Sequence, residues 1–354
     1  MTLLVVNAGS SSLKLSLLDA SEKVIAHDDI SDWRGDDAPI GDFVTRAGAI
    51  DTVGHRVVHG GTAFTEPVAI DDAVIDGLRD LTSLAPLHQP RAIAAIEAAR
   101  GALPGATHVA CFDTAFHATI PPAANTYALP ATWRARWPLR RFGFHGLSHA
   151  YAARRAAELA GRELTELHIV TCHLGAGASL CAIERGCSVD TTMGFTPLEG
   201  LVMATRAGSI DPGLVLWLLQ EAGLRASEVG EKLEQQSGLV GLAGTADMRE
   251  VIERKTGGDA AAALAFDVYA HRLRREIGAM SAALETVDVC VFTGGVGEHA
   301  PLVRAATRFP LDRAANESTT GDGEISAAGS RMRTFVVTAR EDLEIAREVR
   351  ALLA

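Results

Sequence analysis

A short pattern occurs twice in this chain: a strand, a turn of small residues, and a second strand. The first copy spans residues 3–18 and the second spans residues 167–183. In each copy an apolar run precedes glycine, alanine and serine residues, and a second strand-like run follows, as in a β-hairpin. Further strands and helices come after each copy. The repeat therefore indicates two related α/β domains, each built around a layered sheet.

The length and composition fit two such domains. The chain has 354 residues, of which 47% are hydrophobic and 22% charged, and its formal net charge is −11. This composition excludes a disordered chain, and the acidic balance argues against a nucleic-acid-binding protein. No apolar stretch reaches the roughly 20 residues that a membrane-spanning helix needs, and the N-terminus lacks a signal-peptide pattern. We therefore expect no nucleic-acid or membrane partner.

The cysteines indicate a reducing compartment. Their number is odd, and no C-x-x-C motif occurs among Cys111, Cys172, Cys181, Cys187 and Cys290. All except Cys187 lie in apolar, strand-like runs. We expect buried free thiols and a cytoplasmic location.

Periodicity and helix breakers predict the other elements. Strands are expected over 52–59, 107–112, 287–293 and 334–338, and helices over 71–84, 89–100, from Ser148 to 159, from Pro212 onwards, over 260–284 and over 341–353. The helix over 260–284 is expected to carry on or near one face the residues Leu264, Val268, Leu273, Ile277, Met280 and Leu284. The polar, acidic residues 20–50 are expected to form a loop-rich segment.

The turn of the first hairpin has the composition of a phosphate-binding loop. It runs from Asn7 to Ser12 with three consecutive serines, and Lys14 follows. A glycine-containing hairpin exposes backbone N–H groups, and serine hydroxyls add further donors for phosphate oxygens. The pattern favours phosphate binding, with an ordinary polar turn as the alternative.

Charged residues lie near the ends of two other predicted strands. Arg56 lies between His55 and His59, and Asp113 follows a buried strand. Because active sites of α/β folds collect at strand ends, both are candidate functional residues. The alternatives are a solvated strand end for Arg56 and a turn or helix cap for Asp113. Arg206 precedes a helix N-terminus, a position that favours anions.

Histidine spacing and glycine turns exclude several common sites. His145 and His149 are four residues apart, but Gly146 intervenes and no third ligand of the zincin type follows, which argues against zinc. The glycine turn at 174–179 leads into another strand, which argues against a Rossmann dinucleotide site. No P-loop motif occurs. The glycines at 294–297 follow a buried strand and would let a flat ring or a ribose approach the backbone.

Taken together, these segments resemble the acetokinase family. The matching runs are VVNAGSSSLK, GHRVVHGG, APLHQP, FDTAFH, GFHGLSH, HLGAGAS, MGFTPLEGL, TRAGSIDP and TGGVGE, in the family's order over residues 3 to about 299, with a weaker match at AREDLEIARE. An ordered set of this kind is far more specific than a single glycine loop. Residues 20–50 look shortened relative to the family.

The resemblance implies the fold of acetate and sugar kinases, heat-shock proteins and actin. This is an α/β fold with two ribonuclease H-like domains of the actin-like ATPase superfamily and an active-site cleft between them. The implied N-terminal domain comprises 1–117 plus 342–354, and the implied nucleotide-binding domain comprises 118–341. The family is typically homodimeric, so we expect a homodimer.

The implied activity is reversible, Mg-dependent phosphoryl transfer from ATP to acetate, which gives acetyl phosphate and ADP by direct in-line transfer. The expected cofactor is Mg²⁺, with Mn²⁺ as an alternative. Propionate or another short carboxylate is an alternative acceptor, because one methylene changes binding by only about 1–3 kcal/mol. An actin-like ATPase without an acyl acceptor is the alternative of a different class. The retained residues that would hold an acyl acceptor argue against it.

The family's catalytic roles carry over onto matching residues. The catalytic aspartate is matched by Asp113, the arginines that hold the carboxylate and the transferring phosphoryl group by Arg56 and Arg206, and the histidine that contacts this group in the transition state by His145. Two further active-site histidines are matched by His88 and His173. The pocket for the acetate methyl group is matched by Val58, Leu87, Phe144 and Pro197.

The nucleotide side carries most of the departures from the family pattern. The metal-linked residues are matched by Asn7 and Glu341, and the nucleotide contacts by Lys14, Ser10, Ser12, His173, Gly175, Gly177, Asp247, Met248, Arg249, Gly295, Val296 and His299. Against the family pattern, Ala176 and His299 replace asparagines, Ala178 replaces a serine, and Met248 replaces an aromatic residue.

Overall fold

The structure is a computed structural model and describes residues 2–9 and 12–354. The strands are β1 (Leu3–Ala8), β2 (Ser12–Leu18), β3 (Val24–Ser31), β4 (Thr52–Val57), β5 (Val68–Ala69), β6 (Thr107–Phe112), β7 (His168–Leu174), β8 (Ala178–Glu184), β9 (Cys187–Thr191), β10 (Val289–Thr293), β11 (Gly323–Glu324) and β12 (Arg333–Val336).

The helices alternate with these strands along the chain. They are α1 (Ala38–Ala47), α2 (Asp72–Asp80), α3 (Gln89–Ala102), α4 (Pro122–Asn125), α5 (Ala131–Arg136), α6 (Gly146–Ala160), α7 (Pro212–Gln220), α8 (Ala226–Gln235), α9 (Gly238–Ala243), α10 (Met248–Thr256), α11 (Ala260–Ala282), α12 (Gly294–His299), α13 (Pro301–Ala305), α14 (Arg313–Ser318) and α15 (Glu341–Leu353).

The strands form two six-stranded sheets with the same topology. One has the order β3-β2-β1-β4-β6-β5, and the other, read from its β9 edge, has the order β9-β8-β7-β10-β12-β11. In each sheet the first three strands form an antiparallel meander, the next two continue parallel to the first, and a two-residue antiparallel strand closes the edge. The predicted α/β class and the predicted repeat are both confirmed.

The chain packs into two compact units. The first comprises Met1–Ala118, Phe144–Tyr151 and Arg340–Ala354, and the second comprises Thr119–Gly143 and Ala152–Ala339. Each unit holds one of the two sheets. The domain boundaries implied by the family resemblance remain a prediction.

In the first unit, strand β1 is buried on both faces of the sheet. Leu4 and Val6 pack with residues of α1 and α3, whereas Leu3 and Val5 pack with residues of α15. Helix α15 approaches β4 closely because Gly54 has no side chain. A Cβ atom there would lie 2.6 Å from Cγ2 of Ile345. The start of α15 is therefore held near the ends of the central strands.

The expectation of a loop-rich segment over residues 20–50 is wrong. Strand β3 pairs with β2 at the sheet edge, and α1 buries Ile40 and Phe43 against the first sheet. Strand β3 has no fully buried residue, since its burial alternates between half-buried and exposed positions. An edge strand of this kind tolerates polar residues on both faces, so its sequence lacks the apolar alternation of the central strands.

In the second unit, α11 packs on strands β7 and β8 of the second sheet. Its buried residues include Tyr269, Leu273 and Ile277. The predicted helix is confirmed, but the expectation for Leu264 is wrong, since this side chain is 57% exposed. About two and a half turns separate Leu264 from Leu273, which places them on opposite faces of the helix.

The other expectations for the fold concern cysteines and membrane spans. Cys111, Cys172, Cys181 and Cys290 are buried free thiols, as expected, and Cys187 is exposed. Among the helices of the described residues, none is long and apolar enough to cross a membrane.

Candidate functional site

Polar side chains meet at the carboxyl ends of three neighbouring strands in the first unit. Asn7 lies near the end of β1, Arg56 near the end of β4, and Asp113 directly after β6. These strands are parallel neighbours in the order β1-β4-β6. Their carboxyl ends therefore lie at one edge of the sheet, where ligands of open α/β sheets bind.

Arg56 and Asp113 form a buried, bidentate ion pair. The guanidinium donates from Nε to Oδ1 of Asp113 at 3.1 Å and from Nη2 to Oδ2 at 2.7 Å. The Arg56 side chain is 13% exposed and that of Asp113 is 1% exposed. Two parallel bonds fix the plane of the guanidinium as well as its position.

The pKa values of this pair reflect burial and charge together. Burial by itself lowers the pKa of Arg56, but the charges of Asp113 and Glu341 outweigh it, so the pKa lies above its ordinary value. Burial raises the pKa of Asp113, and the Arg56 charge opposes this rise. Arg56 is consequently cationic at any physiological pH, and its charge is compensated within the protein.

Asn7 and Glu341 complete this cluster. The Asn7 amide accepts a hydrogen bond from Arg56 Nη1 at 3.1 Å through Oδ1 and donates to Glu341 Oε2 at 2.8 Å through Nδ2. Arg56 Nη1 lies 3.6 Å from the same Glu341 oxygen. Glu341 is the first residue of α15, so the contact between that helix and Gly54 positions its carboxylate. Asn7, Arg56, Asp113 and Glu341 are called the arginine–carboxylate cluster below.

The arginine–carboxylate cluster has the donor chemistry of a hard cation site. It holds two carboxylates and an amide oxygen against one guanidinium, and Mg²⁺ prefers oxygen ligands from one or two carboxylates together with substrate phosphates. Within residues 2–9 and 12–354, no group of three or more His, Cys, Asp or Glu side chains could hold a metal ion by itself. The two sequence-predicted metal residues, Asn7 and Glu341, are in direct contact with each other through the hydrogen bond described above.

The backbone around His145 is adapted to Asp113. The backbone amide of His145 hydrogen-bonds the Asp113 carboxylate, and Gly146 N donates to the Asp113 carbonyl oxygen at 3.0 Å. A Cβ atom on Gly146 would overlap that carbonyl oxygen. His145 has φ +57°, a strained conformation for a non-glycine residue that often marks functional sites. Helix α6 begins at Gly146, so the predicted start at Ser148 is two residues too late.

The predicted residues of the acyl pocket differ in exposure. Val58 and Phe144 are buried in the first unit, at 5% and 1% exposure, while Leu87 is 43% exposed. The Phe144 ring meets the His59 ring edge-on, with centroids 5.4 Å apart. His88 is half-buried directly before α3. Pro197 belongs to the second unit and is described with Arg206.

The hairpin turn is only partly described. Ser10 and Ser11 lie outside the described residues. Gly9 N donates to the Ser12 carbonyl oxygen at 2.7 Å, which closes the turn. Lys14 is exposed on β2 and lies 3.6 Å from Asp29. The phosphate-binding role of this turn remains a prediction.

In the second unit, Arg206 has a different environment from Arg56. Its Nη1 donates to the Pro197 carbonyl oxygen at 3.1 Å and lies 3.6 Å from the Met203 sulfur. Within the described part of the chain, no carboxylate forms an ion pair with it. Burial lowers its pKa, and the charge of Glu234 only partly opposes this. Its positive charge is therefore only partly compensated, by Glu234.

A hydrogen-bond network that the sequence did not reveal fixes the loop around Pro197. Tyr127 donates its hydroxyl hydrogen to Glu199 Oε2 at 2.5 Å, and Arg141 Nη2 donates to Glu199 Oε1 at 2.8 Å. Arg141 Nη1 also donates to the Met193 carbonyl oxygen at 3.0 Å. The carbonyl that accepts from Arg206 thus belongs to a braced loop. The three side chains come from distant loop positions, so no local spacing identifies them.

Seven of the predicted nucleotide residues surround one cavity in the second unit. The cavity has a volume of about 550 Å³ and is lined by Gly175, Ala176, Ala204, Leu239, Ala246, Asp247, Met248, Arg249, Tyr269, Gly295, Val296, His299 and Ala300. The predicted residues among them are Gly175, Asp247, Met248, Arg249, Gly295, Val296 and His299. Its walls are mainly apolar, which suits a flat aromatic ligand. We call it the apolar cavity.

Two predicted nucleotide residues of the second unit are not among the described lining of the apolar cavity. The Gly177 carbonyl oxygen accepts from Gly175 N at 2.9 Å and so shapes the turn after β7. His173 is half-buried on β7, opposite Ser179 of β8. Conversely, Ala204, Leu239, Ala246, Tyr269 and Ala300 line the cavity without having been predicted. Apolar helix and loop residues of this kind look like ordinary core in sequence.

Helix α12, which forms one wall of the apolar cavity, is held at both ends. Glu298 Oε1 accepts from Gly294 N at 2.9 Å and from Ala339 N at 3.0 Å. Arg304, which is 1% exposed, donates to the Gly297 and Glu298 carbonyl oxygens at 2.8 and 2.7 Å. A cation at the carboxyl end of a helix is electrostatically favourable. Gly295 and Val296, which line the cavity, are therefore held in place by contacts at both ends of α12.

Comparisons with known proteins identify the family of this chain. Residues 41–347 match the family model described as the acetokinase family. The acetate kinase of Heliobacterium modesticaldum is 40% identical over 100% of both chains. The crystal structure of Porphyromonas gingivalis acetate kinase superimposes with a TM-score of 0.92 at 34% identity over 100% of both chains. That of a propionate kinase from Francisella tularensis gives 0.90 at 32% identity over 98% of both chains.

These matches cover the chain almost from end to end, including the segments that carry the arginine–carboxylate cluster and the apolar cavity. They confirm the two-sheet fold of the actin-like ATPase superfamily. The chain belongs to the acetokinase family.

Proposed function

We propose that this protein is an acetate kinase, which transfers the terminal phosphoryl group of ATP to acetate and runs reversibly. A carboxylate oxygen of acetate forms a bond to the γ-phosphorus, the bond from that phosphorus to the bridging oxygen of ADP breaks, and ADP leaves with the electron pair. The observation that carries the proposal is the arginine–carboxylate cluster, with its bidentate pair of Arg56 and Asp113, in a chain of this family.

The reaction needs little covalent help from the protein. A carboxylate is already a competent nucleophile, so no strong general base is required. Catalysis consists of holding the reactants in line and stabilising negative charge on the equatorial phosphoryl oxygens. We assign this charge stabilisation to Arg206 and His145, and carboxylate binding to Arg56. Arginine suits the phosphoryl group because its planar fork can bind two oxygens with parallel bonds, whereas the Nε and Nη2 atoms of Arg56 are already bonded to Asp113.

The cluster also supports a role for Mg²⁺. Glu341 and Asn7 offer hard oxygen donors next to Asp113, and the net charge of the four side chains is negative when both carboxylates are ionised. We propose that Glu341 and Asn7 hold the ion, with Mn²⁺ as an alternative. Bound there with the nucleotide, it would neutralise phosphate charge.

The size of the acceptor follows from the buried apolar residues next to the cluster. Val58 and Phe144 are at most 5% exposed, which leaves little freedom for the pocket to expand. We therefore propose acetate as the preferred acceptor. Propionate is the second candidate, because a propionate kinase is among the structures this chain resembles and one methylene discriminates weakly.

We propose that the apolar cavity takes the nucleoside part of ATP or ADP. Its volume of about 550 Å³ and its mainly apolar walls suit a base and ribose. Gly295, on one wall, has no atom within 4 Å of where a Cβ would be, so the backbone there leaves open space for a ligand.

We further propose that the protein is a cytoplasmic homodimer. Helix α7 has no buried residue, and Leu214, Leu216 and Trp217 are 47%, 53% and 55% exposed. An exposed apolar helix of this kind is typical of a surface that a second copy covers. The free thiols fit a reducing cytoplasm. Sedimentation analysis should find twice the mass of one chain.

The function is tested by measuring ADP release from Mg-ATP with acetate, propionate, butyrate or no acid, while hydroxylamine traps any acyl phosphate. Release that depends on acid and yields hydroxamate, greatest with acetate, is the expected result. Greater turnover with propionate would make that the substrate. ADP release that ignores the acid would overturn the proposal in favour of an ATPase.

A further inference from the structure

The hydroxyl group of Tyr269 is buried without a partner. Tyr269 lies on α11 and is 3% exposed, and its Oη forms no hydrogen bond with any described residue. A buried hydroxyl in this state destabilises the folded protein, so native proteins rarely keep one unless a ligand or water satisfies it. This atom therefore calls for a functional explanation.

Tyr269 belongs to the lining of the apolar cavity. Among the described residues with a buried, unpartnered side-chain polar atom, it is the one that lines this cavity. The charged side chains of the lining are already paired with each other, since Arg249 Nη2 donates to Asp247 Oδ2 at 2.7 Å. The Tyr269 hydroxyl is thus the buried polar group of the cavity that still needs a hydrogen bond.

We infer that Tyr269 is a specificity-determining residue that hydrogen-bonds the polar edge of a nucleobase bound in the apolar cavity. The inference rests on the proposed function, which assigns the nucleoside to this cavity. A nucleobase has two apolar faces and an edge of ring nitrogens and exocyclic groups. The Met248 side chain and the backbone of Gly295 can contact the faces, and the phenol can donate to or accept from the edge.

Two further features support this role. Burial raises the pKa of the Tyr269 hydroxyl, so it stays neutral and keeps its proton for donation. Ala176, Ala204, Ala246 and Ala300 of the cavity lining have no side-chain hydrogen-bonding group. Because few polar groups are available to recognise a base, the contribution of Tyr269 to nucleotide selectivity is correspondingly larger.

The test compares Tyr269→Phe with the unchanged protein by calorimetric titration with Mg-ADP and by steady-state kinetics with Mg-ATP. The variant removes one oxygen atom and keeps the ring. Loss of one hydrogen bond should weaken Mg-ADP binding by about 2- to 10-fold. The Michaelis constant for ATP should rise by a similar factor, whereas kcat should change little because the base is remote from the reacting phosphorus.

Thr334→Val is the matched control. Thr334 lies on β12 of the same unit, is fully buried, and also has an unpartnered hydroxyl, but it does not line the apolar cavity. Both variants should keep or raise the unfolding temperature of the ligand-free protein, since each removes an unsatisfied group. Only Tyr269→Phe should weaken nucleotide binding.

The outcomes separate this inference from the proposed function. If the unchanged protein does not bind Mg-ADP, the assignment of the cavity to a nucleotide fails. If it binds Mg-ADP and Tyr269→Phe binds equally well, the proposed function stands and the role of Tyr269 is overturned. Circular dichroism of both variants verifies that any loss of binding arises in a folded protein.

Discussion

The two proposed catalytic arginines lie in opposite electrostatic environments. Arg56, in the first unit, is bonded to Asp113 and lies close to Glu341, so its pKa is raised. Arg206, in the second unit, is bonded to a carbonyl oxygen, and burial lowers its pKa. Arg56 is thus paired with carboxylates of the protein itself. Arg206 has no carboxylate within ion-pair distance among the described residues, and its hydrogen-bond acceptor is a carbonyl oxygen.

This difference predicts that the two arginines contribute unequally to folding stability and to catalysis. A guanidinium paired with carboxylates is rigid and contributes to the stability of the folded unit, but those carboxylates already compensate most of its positive charge. A desolvated guanidinium without a carboxylate contributes little to stability, yet its interaction with an incoming phosphoryl oxygen is strong because the surroundings screen it weakly. We therefore expect Arg56 to matter for folding and catalysis, and Arg206 for catalysis alone.

The largest effect is expected for Arg56→Ala. The substitution leaves Asp113, which is 1% exposed, without its countercharge next to Glu341. Breaking a buried pair in this way costs about 3–5 kcal/mol of unfolding free energy, and turnover should be lost as well. Urea unfolding followed by circular dichroism measures the first effect, and the hydroxamate assay the second.

A double variant sharpens this prediction. Arg56→Met combined with Asp113→Leu removes both charges of the pair, so it should recover a large part of the stability lost in Arg56→Ala without recovering activity. If the single variant unfolds at the same urea concentration as the unchanged protein, the cluster is not the stabilising element described here.

Arg206→Ala should reduce kcat by a factor on the order of 10²–10³, by analogy with the loss of one oxyanion donor. The unfolding free energy should change far less than in Arg56→Ala, because no carboxylate is left unpaired. The matched control is Arg313→Ala on α14, where the side chain is 90% exposed. If Arg206→Ala lost as much unfolding free energy as Arg56→Ala, the proposed difference between the two arginines would be wrong.

A further prediction concerns pH. Burial lowers the pKa of His59 to about 4, and it lowers the pKa of His55 well below its ordinary value of about 6.5. Both lie in the first unit. Because their folded-state pKa values are depressed, the stability of this unit is complete above about pH 6.5 and declines as the pH falls toward 4.

Tryptophan fluorescence can follow this decline in the first unit. Trp33 is 2% exposed there, whereas the second unit's Trp133, Trp137 and Trp217 are at least 44% exposed. In a Trp217→Phe variant, which lacks the tryptophan of the proposed dimer surface, a red shift on urea unfolding therefore reports on Trp33, and adding Trp33→Phe is the control that abolishes it. The urea concentration at the midpoint of this shift should be lower at pH 4.5 than at pH 7. An equal midpoint at both pH values would contradict the depressed pKa values of His55 and His59.

Sequence patterns predicted the β1–β2 and β7–β8 hairpins and the ends of the central strands, because these features depend on local periodicity. Strands β1, β4 and β6 alternate or run apolar, and the residues after them carry the polar groups of the arginine–carboxylate cluster. Strand β3 and helix α1 were missed, since an edge strand that buries little has no strong apolar alternation. Glu341 was recognised through the family resemblance alone.

Residues whose role depends on distant partners escaped prediction. Tyr127 and Glu199 are 72 residues apart, and neither has a local pattern that indicates their hydrogen bond. Tyr269 looks like any aromatic residue on the buried face of a helix. Its missing hydrogen bond is visible only when all neighbouring donors and acceptors are placed in three dimensions.

The contact between Asn7 and Glu341 also limits how early the arginine–carboxylate cluster can form during synthesis of the chain. These residues are 334 positions apart in the chain. At about 5–20 residues per second, a ribosome needs roughly 20 to 70 s to add Glu341 after Asn7 has been made. Once β6 has been made, the nascent chain contains the three strands of the β1–β4–β6 edge but lacks the carboxylate that completes the cluster. The four side chains of the arginine–carboxylate cluster therefore cannot all be in contact before α15 has been synthesised.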